Sequence, residues 1–426
     1  MSAPLRVGVA GLGTIGGGTV RLLRENADLI AARCGRPVTV VAVAERDKDR
    51  AASVDFGDAE LLDDGLALAE RPDIDVVVEL IGGHGGIALE LARRALGGEK
   101  HFVTANKAMI AHHGQELALA AEKSGVTLAF EAAVAGGIPI LKAIRESLAG
   151  NRIRRVYGIF NGTCNYILTA MRDSGRPFAD ILAEAQALGY AEADPTFDVD
   201  GVDAAHKTAI LAALAFGQRV DLDAVRTAGI RDLAPVDQVV AAELGYCVKL
   251  LGVAEDTGAG VVTRVEPCLV AADSPIARVD GVFNAVVVDA DFVDRTVYQG
   301  RGAGAEPTAS AVVGDLIDIA RGGGWHAFGV PAGRLEQAKP AETALLSSAY
   351  YLRFAPNDPR GAIAGIAAAL NEAGVPVANM FSDRAPGSVI VTTGTAQGAA
   401  VEQACASVAG SMALAGTPVR MRIEEF

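Results

Sequence analysis

Short, nearly continuous apolar runs alternate with amphipathic stretches over the N-terminal third of the chain. Residues 5–10, 38–44, 75–81, 101–104 and 126–130 are rich in β-forming side chains and predict strands. Between them, 14–26, 87–96 and 108–123 have the length and spacing of helices. Apolar strands separated by helices predict a parallel sheet covered on both faces. From about Gly137 the rhythm lengthens into helices at 138–148, 178–188 and 202–216, and strand-like runs return at 261–270 and 282–288. This predicts an α+β unit. A breaker-rich stretch (Gly329-Val-Pro-Ala-Gly through Lys339-Pro340) sets off a tail that reads strand (349–354), helix (362–373), strand, strand, helix (399–408), strand (419–424). No solenoid-type repeat is present. The expected boundaries are 1–136, 137–328 with a segment near 302–321 returning to the first unit, a linker at 329–346, and 347–426.

Composition narrows the function classes. At ~150 residues per domain, 426 residues suit three units. The net charge of −14, without a clustered basic run, argues against binding duplex nucleic acid. Half the residues are hydrophobic and 21% are charged, which allows a large core and excludes wholesale disorder. Aromatics at 5% are too few for a surface that stacks sugars or single strands. Apolar runs such as 208–216 stop well short of the ~18–20 residues that span a bilayer. The chain enters its first strand too early for a signal peptide. Five scattered cysteines form no CxxC, and six histidines form no HExxH, so neither a disulfide framework nor a zinc site is expected. These features fit a soluble protein of the reducing cytoplasm, with no nucleic-acid or membrane partner.

Gly11-Leu-Gly13-Thr14-Ile15-Gly16 closes the first strand and opens a helix. In that setting Gly11 allows a tight turn, Gly13 lets backbone amides approach a pyrophosphate, and Gly16 lets helix and strand pack closely. A Rossmann-type, doubly wound sheet holding a dinucleotide follows from this context. Glu45 and Arg46 end the second strand. An acid there suits the ribose hydroxyl of NAD, and an arginine suits the phosphate of NADP, so both remain open. Thr104-Ala-Asn106-Lys107 lies at the carboxyl edge of the sheet, where open α/β sheets bind ligands. The richest stretch runs from Gly189 to Lys207. Glu192, Asp194, Asp198, Asp200 and Asp203 precede His206 and Lys207, without EF-hand spacing. Asp203 and Lys207 share a helix face. Carboxylates beside a lysine either form a solvated ion pair or grip an ammonium while the lysine handles a carbonyl or hydroxyl proton.

The pattern Ala185-x3-Gly189-Tyr190-Ala191-x2-Asp194-Pro195-x2-Asp198-Val199-x-Gly201-x-Asp203-x3-Lys207 resembles the signature of homoserine dehydrogenases. Landmarks at Gly11–Gly16, Thr104–Lys107, Glu131–Ile140, Asn161–Tyr166 and Gly302–Ser310 follow in that family's order. The resemblance implies interconversion of aspartate 4-semialdehyde and homoserine with NAD(P)H, on the route to threonine and methionine. It implies Lys207 as the acid/base, Asp203 orienting it, and Lys107 between nicotinamide and substrate. Glu192 and Asp198 would take the substrate ammonium beside Gly162 and Thr163. Gly11, Gly13, Thr14, Ile15, Gly16, Glu45, Arg46, Gly82, Thr104, Lys107, Gly302 and Gly304 would hold the cofactor. Glu131, with the carbonyls of Val134, Gly136 and Ile138, resembles a loop for Na+ or K+, a donor set of oxygens only. The C-terminal βαββαβ pattern resembles a ferredoxin-like ACT domain. That implies a homodimer or homotetramer with threonine as effector, although Asp358-Pro359-Arg360-Gly361 departs from the usual loop.

Two other classes compete. A semialdehyde dehydrogenase working through a thioester needs a Cys nucleophile with a His partner. No cysteine here has such a neighbour in sequence; Cys164 is read as packing. An amino-acid sensor without catalysis would not need both Lys107 and Lys207, and both are present.

Overall fold

The computed structural model describes residues 3–339, 341, 346–382, 384 and 387–425. Part of the linker expected at 329–346, residues 340 and 342–345, lies outside the described residues.

Six parallel strands form the first sheet: β1 (Leu5–Ala10), β2 (Val38–Ala44), β3 (Glu60–Leu62), β4 (Val76–Glu79), β5 (His101–Thr104) and β6 (Leu128–Ala129). Their spatial order, β3-β2-β1-β4-β5-β6, is that of a dinucleotide-binding doubly wound sheet. Because side chains alternate across a strand, each strand feeds two cores. Val7, Val9, Val43, Val76, Val78 and Val103 pack under helix Thr14–Glu25. Ala10, Ala42, Val77 and Phe102 pack under helices Gly86–Gly97 and Lys107–Ser124. Helix Ala305–Ala320 comes back from much later in the chain, and its Val312, Val313, Leu316 and Ile319 join the first of these cores. The cofactor half of the molecule is therefore built from two distant parts of the sequence.

The second sheet is mixed and has eleven strands. They are β7 (Ile153–Ile159), β8 (Arg226–Thr227), β9 (Tyr246–Asp256), β10 (Val261–Ala271), β11 (Phe283–Ala290), β12 (Arg295–Arg301), β13 (Ser347–Phe354), β14 (Val377–Phe381), β15 (Val389–Thr393), β16 (Ala396–Gln397) and β17 (Val419–Glu424). The path runs β12-β11-β7-β9-β10-β17-β13-β15-β14, with β8 beside β10 and β16 beside β13. Helix Val202–Phe216 is buried from Asp203 to Leu214. A helix with almost no polar face must lie inside the molecule, and its few polar side chains are consequently held in a dry place.

Three expectations need correction. The helix expected at 138–148 is a short turn, Ile140–Lys142, widening into a π-turn at Ala143–Ser147. The helix from Thr14 stops at Glu25, and a second, Ala27–Cys34, follows. β7, β9 and β12 were not anticipated; in β9 a continuous apolar run hides Lys249, which is 1% exposed and bound to the Val279 carbonyl at 2.6 Å.

The C-terminal stretch has the order β13, helix Pro359–Glu372, β14, β15, helix Gly398–Ser411, β17. Its strands lie β17-β13-β15-β14, a ferredoxin-like arrangement. β17 pairs in parallel with β10, placing Arg422 opposite Cys268 and Glu424 opposite Val270. The C-terminal unit thus shares a continuous sheet with the middle of the chain.

Candidate active site

A cleft of about 500 Å³ opens between the two halves, lined by Lys107, Asn161, Glu192, Asp198, Asp203 and Lys207 among others. Lys107 is the first residue of helix Lys107–Ser124, whose N-cap Asn106 accepts from the Met109 amide at 3.0 Å. Asp203 and Lys207 sit one turn apart on helix Val202–Phe216, which starts after Gly201 (φ +84°). The cleft is thereby walled by two helices whose starts are fixed by local sequence.

Asp203 holds both lysines. Its Oδ2 lies 2.7 Å from Lys207 Nζ and its Oδ1 3.1 Å from Lys107 Nζ. Lys207 also donates to the Phe160 carbonyl at 2.7 Å. A protonated lysine has three N–H donors, so one stays available to a ligand. Burial pulls the Lys207 pKa down and Lys107 adds to the effect, against the opposing pull of Asp203. Burial alone would raise the Asp203 pKa, but Lys207 and Lys107 outweigh it and keep this carboxyl ionised well below its ordinary range. Asp198, 2.7 Å from the Asn161 amide, behaves oppositely: burial and the neighbouring Asp203 raise its pKa. Glu192 is exposed at the rim of the same cleft. Thr163, also on the lining, donates to the Tyr190 carbonyl at 2.7 Å, and Gly162 starts the helix beside it.

The glycine-rich turn fits a dinucleotide. Gly11 has φ +92°, and a Cβ there would strike the Leu80 carbonyl at 2.8 Å. A Cβ on Gly16 would fall 1.9 Å from the Gly11 carbonyl, whereas Gly13 faces open space on the ligand side. Helix Thr14–Glu25 has no side-chain cap, so its first amides are free for an anion. Ile15 and Gly302–Gly304 border the main cleft, as does Gly136. Gly11, Gly13, Glu45 and Arg46 border a second cavity of about 330 Å³. Thr14 faces a different hollow, on the outer side of its helix.

Glu45 is more than a ribose ligand in waiting. Its carboxylate accepts from the Leu12 amide at 2.9 Å and the Asp47 amide at 3.1 Å, with Arg50 at 3.6 Å. It therefore ties the glycine turn to β2. Arg50 borders this cavity beside Arg46 and was not anticipated. Thr104 is fully buried and gives its hydroxyl to Glu79 at 2.6 Å, so it supports the site without lining it. Glu79, also buried and unanticipated, accepts from the amides of Ile81 (2.7 Å) and Gly82 (2.9 Å) and so shapes the exposed Gly82–Gly86 loop.

Around Glu131 the turn is tightly built. Its two carboxylate oxygens accept from the amides of Leu141 (2.9 Å) and Lys142 (2.8 Å). Burial and nearby Asp315 raise its pKa to about 8, against Arg145 and Lys142. Val134 and Ile138 are buried, and Gly136 (φ +48°) packs on the backbone of Gly302, where a Cβ would meet the carbonyl at 2.5 Å. No group of three or more His, Cys, Asp or Glu able to hold a metal occurs among the described residues; the oxygens at this turn are the carboxylates of Glu131 and Asp315, the latter accepting from the Glu131 amide at 2.9 Å, and backbone carbonyls. Cys164 is buried, N-terminal in its helix, with its thiol pKa pushed up by burial and by Asp198. It is no nucleophile. Asn284 is a lining residue that the sequence did not single out: it is 1% exposed, its Oδ1 has no partner among the described residues, and it packs on Gly302.

Comparison with known proteins identifies the family and the fold. The family model described as "Homoserine dehydrogenase, NAD binding domain" matches residues 11–131, and that described as "Homoserine dehydrogenase" matches 139–317. A homoserine dehydrogenase of Pseudomonas aeruginosa is 45% identical over 438 residues, covering 99% of both chains. The crystal structure of a homoserine dehydrogenase from Thiobacillus denitrificans superposes with a TM-score of 0.93 at 44% identity, covering 99% of both chains. A hyperthermophilic archaeal homoserine dehydrogenase in complex with NADPH gives a TM-score of 0.64 at 26% identity, covering 74% of this chain and 97% of that one.

Proposed function

The chain belongs to the homoserine dehydrogenase family and is an NAD(P)-dependent oxidoreductase; from this premise we propose how its own residues divide the reaction between L-aspartate 4-semialdehyde and L-homoserine. When bound, the reduced nicotinamide supplies the hydride. Gly11, Gly13, Ile15 and the first amides of helix Thr14–Glu25 would hold its pyrophosphate, and Gly302–Gly304 would border it from the second half. Glu45 and Arg46 meet the adenosine ribose, and the pair suits use of both NAD and NADP.

Lys207 protonates the aldehyde oxygen in reduction and accepts the hydroxyl proton in oxidation. Asp203 orients it and Lys107 steadies the developing alkoxide from the cofactor side. The lowered Lys207 pKa eases proton release in the oxidative direction. Glu192 and Asp198 face the substrate ammonium, beside Gly162 and Thr163. The observation that carries this reading is the single Asp203 carboxylate holding both lysines in the cleft that Glu192 also lines. A purified sample given homoserine and oxidised cofactor must generate reduced cofactor absorbance, and must not do so with homoserine replaced by a simple alcohol lacking the amino-acid group.

Three further parts belong to the same proposal. The Glu131–Ile138 turn takes Na+ or K+, because a buried carboxylate at such cost would be neutralised by a hard cation among oxygens. The C-terminal unit acts as an ACT domain, binding threonine as feedback effector and joining chains into a homodimer or homotetramer. The enzyme then serves threonine and methionine formation in the cytoplasm; no described helix is long and apolar enough to cross a membrane.

A further inference from the structure

The Asn161 side chain lies at the centre of the site's polar network. Its Oδ1 accepts from the Cys164 amide at 2.8 Å, capping helix Gly162–Ser174. Since the oxygen is committed there, the two Nδ2 protons are left for acids. They go to Asp198 Oδ1 at 2.7 Å and Asp203 Oδ2 at 2.8 Å. The residue is 5% exposed. One amide thus joins the substrate helix, the acidic loop and the catalytic helix. We propose that Asn161 is a positioning residue that keeps Asp198 ionised beside Asp203 and so sets the lower pH limit of substrate binding.

The inference rests on reading Asp198 as an acceptor of the substrate ammonium. A half-buried and a buried carboxylate on one donor repel each other's second charge. Asp203 has two lysines to offset this, whereas Asp198 makes no ion pair among the described residues. The groups facing Asp198 are Asp203 and Lys207 on the catalytic helix, Lys107 on the cofactor side, Glu192 across the cleft, and Cys164, whose thiol lies 3.2 Å from the Asp198 carbonyl. Burial and Asp203 favour its neutral form, and the Asn161 hydrogen bond is the strongest opposing influence, ahead of both lysines. Without that bond Asp198 would take up a proton at a higher pH and lose its attraction for a cation.

Asn161→Ser tests this, because serine still caps a helix but lacks the two N–H donors. The quantity to follow is kcat/KM for aldehyde reduction against pH. In that direction Lys207 must be protonated, so it governs the alkaline limb and Asp198 the acid limb of the free enzyme. The acid limb of Asn161→Ser should move up by about one pH unit, a further ~10-fold loss below the limb. Asn161→Asp, which also caps, should move it at least as far, and serves if the serine variant does not fold. Asp198→Asn, which cannot titrate, should erase the limb and raise KM. If Asp198→Asn erases the limb but both Asn161 variants lose activity equally at every pH, Asn161 is only a helix cap and the inference fails. A limb that survives in Asp198→Asn belongs to another group and overturns the reading of Asp198 together with the inference.

Discussion

Lys107 reaches Asp203 across the seam between the two halves of the molecule, with Nζ 3.1 Å from Oδ1. It is the only described ion pair by which the cofactor side touches the catalytic helix within the cleft. The same Lys107 ammonium stands 5.5 Å above the ring of Phe197 in the acidic loop, a distance at which a cation is attracted to the ring face. On the proposed mechanism one side chain therefore holds the hydride and proton sites in register, and burial, with Lys107 adding to it, lowers the Lys207 pKa.

Lys207→Ala is expected to lower kcat by ~10²–10⁴, the usual worth of a positioned acid/base, while the dinucleotide still binds. Steady-state rates together with a cofactor fluorescence titration check this. Turnover close to wild type would remove Lys207 from the reaction.

Cofactor preference is expected to divide between three residues of the second cavity. Arg46→Ala and Arg50→Ala should raise KM for NADPH and leave NADH nearly unchanged, since both border the cavity and Arg50 reaches the glycine turn only through its 3.6 Å pair with Glu45. Glu45→Ala should weaken both cofactors, because its carboxylate also holds the Leu12 amide. A wild-type preference above about a thousandfold for either dinucleotide, ~4 kcal/mol, would contradict dual use.

Much of this site was legible because its chemistry lies in short, locally determined stretches. The Gly11–Gly16 turn, Asn106-Lys107 and the Asp203–Lys207 turn each depend on neighbours a few residues away, and the structure builds them as the spacing predicts. What stayed hidden depends on contacts between distant segments. Glu79 meets Thr104 twenty-five residues on, and Asn284 packs on Gly302, and only the fold brings either pair together. Burial likewise has no local signal: Thr104 sits in the motif yet faces inward. β9 was lost because an apolar run without alternation reads equally as buried helix or buried strand, and β7 because Arg154 and Arg155 interrupt its apolar pattern.

Glu131 is expected to make stability depend on pH and, on the proposed cation site, on monovalent cations. Its folded pKa of about 8 lies above the ordinary 4.5. A raised carboxyl pKa contributes stability that is full below the ordinary value and is lost as pH rises through the folded one. In tetramethylammonium buffer the melting temperature should accordingly fall between about pH 5 and pH 8. Na+ or K+ should reverse the fall most strongly at the alkaline end, where the carboxylate is ionised. Glu131→Gln should flatten both responses. A protein whose melting is indifferent to Na+, K+ and pH in this range would show that the turn holds no cation.

The C-terminal unit is fastened to the middle of the chain through β13, which on the proposed reading lets it transmit a ligand's effect. Tyr351 donates to Asp237 at 2.7 Å, and Arg353 reaches the same buried carboxylate at 2.7 Å and 3.1 Å. Asp237 in turn caps helix Pro235–Glu243 through the Ala234 amide at 2.7 Å. At the loop proposed to meet threonine, Asp358 spends its carboxylate on the Gly361 amide at 3.1 Å, so that amide is occupied by the protein itself. Threonine can shift activity only if it binds one state more tightly than another, and the Asp237 contacts are where such states would differ. Threonine is expected to lower turnover and raise the melting temperature of the wild type. Arg353→Met should leave a buried carboxylate without its one cationic partner among the described residues, at a cost of ~3–5 kcal/mol in stability, and should weaken the threonine effect on turnover more than threonine binding. Removing the unit would instead strip β17 from β10 and confuse folding with regulation. If threonine changes neither rate nor melting, the unit is no sensor of it. If sedimentation gives the 43.7 kDa of one chain, it joins no subunits either.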